Sequence, residues 1–185
     1  MQNELTGTRV AILVTDGFEQ VELTGPRNAL EDAGATTVII SAKPGKVQGF
    51  HHDVKGDAFD VASTFEQAQV DDFDAVLLPG GAVNSDQIRI LPLAQRFVQG
   101  MQQSGKPIAV ICHGAWLLVS AGLIRGRTVT SWPTLQDDIR NAGGNWVDQE
   151  VVEDANLISS RKPDDIPAFN QRLLTRLKQY RAVTA

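Results

Sequence analysis

The chain has 185 residues, 42% hydrophobic and 21% charged, with a formal net charge of -5 at pH 7. That length buries a good core without cross-links, so residues 1–185 are expected to form one domain. The acidic balance argues against nucleic-acid or anionic-lipid binding, which need a basic surface, and one cysteine excludes an internal disulfide, as suits a reducing compartment.

The N-terminus, MQNELTGTRVAILV, has no basic segment followed by an apolar stretch and a small-residue cleavage site, and the apolar runs are too short to span a membrane. A cytoplasmic protein, mature as written, is the expectation. Four short apolar runs, RVAILV, TTVIIS, FDAVLLP and KPIAVIC, are each followed by a turn signal and a helix-like pattern. Continuous rather than alternating apolar runs suit strands covered on both faces, which predicts a doubly wound α/β domain with a mostly parallel sheet.

The first strand leads into VTDGFEQVEL, and TGP at Thr24 to Pro26 interrupts the following pattern. A helix is therefore predicted to begin at Pro26 and run to a cap at Gly34. Between the second and third sheet strands, KPGKVQGFHHDVKGDAFDV is rich in glycine and charge and predicts a hairpin at the sheet edge, with His51 and His52 on the surface. Pro92 divides the next amphipathic stretch into a short turn and a proper helix. Beyond AVICHGAWLL the order is a strand in RTVTS, a short helix in PTLQDDIRNAG, a second hairpin in WVDQEVVEDANLISS, and a last helix from about Asp164 to Tyr180. The basic run RLLTRLKQYR reads as that helix's solvated face.

Cys112 lies where a strand becomes a helix, at the carboxyl end of the sheet where sites form in such folds. A sharp turn there would lift its side chain clear, as in a nucleophile elbow. Gly114 supplies the glycine two residues on, while Val110 stands where the preceding one is expected. The helix dipole and the first-turn N–H groups would favour a thiolate. A buried structural cysteine is the alternative. A metal site is disfavoured because His113 is adjacent and His51 and His52 lack zinc spacing; no metal and no cofactor are expected. Gly80 and Gly81, ending the neighbouring strand, allow backbone N–H groups to face the site, with the Gly81 and His113 amides as an oxyanion pair. Of Asp16, Glu19 and Glu22, Glu19 is the choice for a protonated carboxyl beside the sulfur, with Glu22 a turn farther away.

Several motifs fail. GMQQSGKP precedes a strand and ends in proline where a P-loop has Ser or Thr; no Gly-x-Gly-x-x-Gly follows the first strand; Gly-x-Ser-x-Gly is missing; and no histidine follows His113 to complete a glutamine amidotransferase triad.

With DGFEQVEL, FDAVLLPGG, GKPIAVICHGAWLL, AGLIRGRTVTS, DIRNAGGNWVDQEVV and LISSRKPDDIPAFN in order, the chain resembles the PfpI family of the ThiJ/PfpI, class I glutamine amidotransferase-like superfamily. The resemblance implies a flavodoxin-like three-layer sandwich with helices on both faces, Cys112 as a strained nucleophile hydrogen-bonded by Glu19, the Gly81 and His113 amides as oxyanion donors, and a homodimer or homohexamer. In some members an acidic residue of a neighbouring chain orients the histidine; Asp86 matches it, shorter than the Glu of those members, with capping of the next helix as its other reading. The implied functions are a stress-related enzyme acting on carbonyl, glycated or peptide substrates: an intracellular cysteine peptidase, a protein deglycase or a glyoxalase III. The common chemistry is thiolate addition to a carbonyl with proton transfer by Glu19 or His113. The alternatives are a redox sensor or holdase with an oxidisable Cys112 and no turnover, and a scaffold with an inert cysteine.

Overall fold

The computed structural model describes residues 4–184. In chain order the elements are β1 (Arg9–Leu13), β2 (Phe18–Glu19), α1 (Gln20–Asp32), β3 (Thr36–Ser41), β4 (Gly45–His51), β5 (Val54–Val61), β6 (Ser63–Thr64), β7 (Ala75–Leu78), α2 (Ala82–Ile88), α3 (Pro92–Gln103), β8 (Ile108–Ile111), α4 (Ala115–Ser120), β9 (Thr128–Val129), α5 (Gln136–Asn141), β10 (Asn145–Trp146), β11 (Val151–Asp154), β12 (Leu157–Ser160) and α6 (Ile166–Thr184). The central sheet has the order β11-β12-β8-β7-β1-β3-β6. Every pairing in it is parallel except that of β11 with β12.

Alternate residues of the central strands feed two cores. Ala11, Leu13, Val76, Leu78, Ile108 and Val110 pack with Phe97, Val98 and Met101 of α3 and with Leu117 and Leu118 of α4. Val10, Ile12, Leu77, Ala109 and Ile111 pack with Leu23 and Leu30 of α1 and with Phe169, Leu173 and Leu177 of α6. Both sheet faces are thus covered, which is why these strands read as unbroken apolar runs. The result is the flavodoxin-like three-layer arrangement, and among the described residues no helix is long and apolar enough to cross a membrane.

Four expectations differ in detail. The first helix starts at Gln20, not Pro26, and carries Pro26 in its interior; burial of Gln20, Glu22, Leu23 and Pro26 outweighs the one backbone bond that proline removes. The β4–β5 hairpin does not extend the central sheet. It forms a separate three-stranded sheet with β2, tied to α1 by Gln20, which accepts the Asp57 N–H and donates to Asp57 Oδ2, both at 2.7 Å. Among the described residues β9 likewise pairs only with β10. The last helix runs to Thr184 and is preceded by a 3-10 turn, Pro163–Asp165. Pro92 stands in the first turn of α3, as its fixed φ favours.

Candidate active site

The carboxyl ends of β1, β7 and β8 converge beside the β1–β7 junction, the place where strand order reverses and α/β folds open a crevice. Cys112 follows β8 directly with φ of +61°, in the left-handed region, and the chain turns at once through Cys112–Gly114 into α4. A non-glycine residue held there costs on the order of 1–3 kcal/mol. Packing enforces it: a side chain at Gly114 would put its Cβ 2.6 Å from the Leu78 carbonyl oxygen. The Cys112 carbonyl accepts the Trp132 N–H at 3.2 Å. Cys112 is 6% exposed, so the sulfur is reached only through the cavity it lines.

The carboxyl at the thiol belongs to Glu22, not Glu19. Because α1 begins at Gln20, Glu22 occupies its first turn, where helical side chains lean back toward the N-terminus. Glu22 is fully buried; its Oε2 accepts the Gly80 N–H at 2.7 Å and the carboxyl hydrogen-bonds Cys112. Glu19, one turn earlier, faces the cavity mouth, where its Oε2 accepts the His52 N–H at 3.0 Å. Spacing alone suggested the reverse. The missed signal was Glu22 sharing a helical face with Leu23, Pro26 and Leu30.

Burial pushes the Glu22 carboxyl up to about 8, against the pull of the Gly80 amide and Cys112, with the Glu19 charge raising it further. Burial also pushes the Cys112 thiol up, and an ionised Glu22 pushes it further; the His113 and Gly81 amides pull the other way. The expected thiolate is therefore opposed by desolvation, which outweighs the helix terminus. At neutral pH Glu22 is protonated, which removes the charge that resists ionisation of the sulfur.

The two glycines differ in role. The Gly80 N–H is committed to Glu22, so Gly80 does not serve as an oxyanion donor. What it provides is space: a Cβ there would lie 2.5 Å from Glu22 Oε2 and 2.8 Å from Cys112 Cβ. Gly81, at φ of +84°, turns its N–H to the sulfur beside the His113 N–H.

His113 Nδ1 lies 3.3 Å from Cys112 Sγ. Its ring stacks on Trp132, with centroids 5.8 Å apart and planes 22° apart, and meets Trp116 edge-on at 5.2 Å. Burial lowers its pKa, so a neutral imidazole faces the sulfur. Asp86 is exposed in the body of α2, off the cavity wall, and caps no helix. Among the described residues it makes no bond to His113.

The cavity has a volume of about 620 Å³. Its floor holds Cys112, His113, Glu22 and Gly81; Trp132, Phe50, Val83 and Pro163 form apolar walls; Asp16, Glu19, His52 and Asp53 line the mouth. His52 is exposed as expected, yet it belongs to the cavity rim, held at φ of +59° with its Nδ1 3.6 Å from Glu19 Oε2. On either side of Pro163 in the chain, Arg161 and Asp165 pair, the Arg161 Nε and Nη2 both donating to the buried Asp165 carboxylate at 2.9 Å. Among the described residues, no group of three or more His, Cys, Asp or Glu side chains converges as metal ligands would.

A strained cysteine at a strand-to-helix turn, a buried acid against its sulfur and a parallel sheet covered on both faces define the class of cysteine-site α/β proteins. The chain belongs to the DJ-1/PfpI family, whose model matches residues 8–176. It is 42% identical over 170 residues to a deglycase of Pyrococcus abyssi, covering 92% of this chain and 99% of that one. It is 40% identical over 169 residues to protein/nucleic acid deglycase 2 of Escherichia coli, covering 90% and 95%. Among solved structures, a two-domain protein with DJ-1/ThiJ/PfpI-like and ferritin-like domains from Anabaena variabilis superposes with a TM-score of 0.86 at 34% identity, covering 92% of this chain and 48% of that one.

Proposed function

We propose that this protein is a cysteine enzyme of the PfpI type acting on carbonyl compounds, with dicarbonyls and the glycated side chains they form as its substrates. One observation carries the reading: a cysteine in a strained turn sits at the floor of a cavity of about 620 Å³, with two backbone N–H groups and a buried acid directed at its sulfur. The deglycase names of the Pyrococcus and Escherichia relatives agree with it.

The chemistry follows from the geometry. Neutral His113 accepts the thiol proton at Nδ1, across 3.3 Å. The sulfur then forms a bond to the substrate carbonyl carbon, and the π pair moves onto oxygen, where the Gly81 and His113 amides receive it. Glu22, protonated at neutral pH because its pKa is about 8, returns a proton to that oxygen to give a neutral hemithioacetal. For a dicarbonyl, loss of the C–H proton from the carbon bonded to sulfur and reprotonation at the neighbouring carbon yield a thioester. Water cleaves it to a hydroxy acid and regenerates the thiol. For a glycated amine in its hemiaminal form, the C–N bond breaks, the amine leaves with the hydroxyl proton, and the dicarbonyl so freed enters the same sequence at the sulfur. Apolar walls and an acidic mouth accommodate a small carbonyl compound or a single side chain better than an extended peptide, so deglycase or glyoxalase chemistry is favoured over peptidase chemistry. The absence of a disulfide partner agrees with a cytoplasmic location, and an assembly into dimers or hexamers is part of the proposal.

The test is a parallel assay of methylglyoxal, a glycated thiol and a reporter peptide with wild type and Cys112→Ser. Turnover of the first two by wild type alone supports the reading; turnover retained in Cys112→Ser overturns it.

The acid against the sulfur also favours a second reading. A protonated Glu22 would donate to a sulfinate formed from Cys112 by two equivalents of peroxide, as in a redox sensor. Intact mass under graded peroxide decides: uptake of two oxygens faster than in free cysteine supports it, and reaction at the rate of free cysteine removes it.

A further inference from the structure

We propose that Asn84 is the positioning residue of the oxyanion site: its single side-chain amide fixes two successive peptide planes, directing the Gly80 N–H to Glu22 and the Gly81 N–H to the Cys112 sulfur.

Asn84 lies in the first turn of α2 and is 1% exposed. Its Nδ2 donates to the Gly80 carbonyl at 2.9 Å and to the Pro79 carbonyl at 3.3 Å. Its Oδ1 accepts the Thr15 N–H at 2.7 Å and the Thr15 hydroxyl at 3.1 Å. A backbone N–H on one side and two carbonyls on the other leave one orientation for the amide. In a trans peptide the C=O and the following N–H point in opposite directions. The Pro79 carbonyl shares its plane with the Gly80 N–H, which meets Glu22 Oε2 at 2.7 Å. The Gly80 carbonyl shares its plane with the Gly81 N–H, which bonds the sulfur.

This turn needs an external clamp. Two consecutive glycines carry no side chain to resist rotation of the peptide between them. Among the described residues the Gly80 carbonyl has one other backbone partner, the Glu19 N–H at 3.4 Å, a long bond. Asn84 is held in turn by Thr15, which follows β1, so the clamp refers the turn to the central sheet. Aspartate would keep the shape and fail at the function, because a carboxylate cannot donate to two carbonyls.

The experiment compares the full-length protein with Asn84→Asp, Asn84→Ala and Thr15→Val, the last removing one of the two anchors of Asn84. It reads the pH profile of Cys112 alkylation by iodoacetamide, kcat and KM on methylglyoxal, and Tm. The Asn84 variants are expected to alkylate about 10-fold more slowly at pH 7.5, a profile displaced by about one unit. Their kcat is expected to fall about 100-fold, as on losing one oxyanion donor, with KM within about threefold of wild type. Thr15→Val should fall between. An asparagine that only stabilised α2 would lower Tm and leave the alkylation profile in place, and that result overturns the proposal. If the Asn84 variants do not fold, an unchanged profile in Thr15→Val overturns it as well. Alkylation does not depend on the substrate, so a wild type without activity on methylglyoxal would defeat the functional reading and leave this one standing or falling on the profile.

Discussion

Glu22 and Cys112 hydrogen-bond each other at the floor of the cavity, where the acid is fully buried and the cysteine nearly so. Burial opposes a charge on either group, and the pair accommodates one negative charge far more readily than two. The consequence is a site that rests neutral and ionises in the course of the reaction.

The first prediction concerns stability against pH. The Glu22 carboxyl titrates near 4.5 in an unfolded chain and at about 8 in the folded one. Between these values the unfolded state binds fewer protons, so stability falls as pH rises through that window. It is fully present below 4.5 and the loss is complete above about 8, with an upper bound of about 5 kcal/mol. Glu22→Gln keeps an oxygen for the Gly80 N–H and removes the titration. Thermal unfolding from pH 5 to 9 should show a flatter profile for this variant, with Tm above wild type at pH 8.5.

A second prediction separates the two glutamates. Glu22→Gln removes the charge that raises the thiol pKa, so Cys112 alkylation at pH 9 should become about 10-fold faster. Turnover should nevertheless fall, because the proton donor is gone. Glu19→Gln, which touches the His52 backbone and not the sulfur, should move the alkylation profile far less than Glu22→Gln, because its charge reaches the thiol only through the Glu22 carboxyl.

Gly80→Ala offers a third. Its Cβ would meet Glu22 Oε2 at 2.5 Å and the His113 nitrogen at 3.0 Å. Relief requires moving the acid or the elbow, at about 1–3 kcal/mol. Chemical denaturation should register that loss, and activity should fall by at least about 100-fold through loss of an aligned donor.

Arg161→Ala provides the fourth. It would leave Asp165, whose side chain is 3% exposed, without its bidentate partner. Breaking a pair with one buried member costs about 3 kcal/mol. Urea unfolding should read this directly, and Arg161→Lys should recover only part of it, lacking the planar fork.

Much of this was legible in the residues. The four apolar runs, the Pro92 boundary and both hairpins follow from periodicity and turn chemistry, and the position of Cys112 after KPIAVIC follows from the same pattern. The identity of the acid was not. Pro26 ordinarily marks a helix start, and moving the start to Gln20 by tertiary burial is what brings Glu22 over the strand ends in place of Glu19. The commitment of the Gly80 N–H depended on that same shift. The turn at His52 entered the cavity rim because the hairpin joins β2 rather than the central sheet, a pairing between distant segments that local propensity does not encode.

The aromatic rings around His113 give the site a built-in optical reporter. Two of the three tryptophans in the chain, Trp116 and Trp132, contact that imidazole, and indole emission is quenched by a protonated imidazole beside it. Trp132 also forms part of the cavity wall. Intrinsic fluorescence therefore follows both proton arrival at His113 and the filling of the cavity, in unlabelled protein and on the timescale of a single turnover.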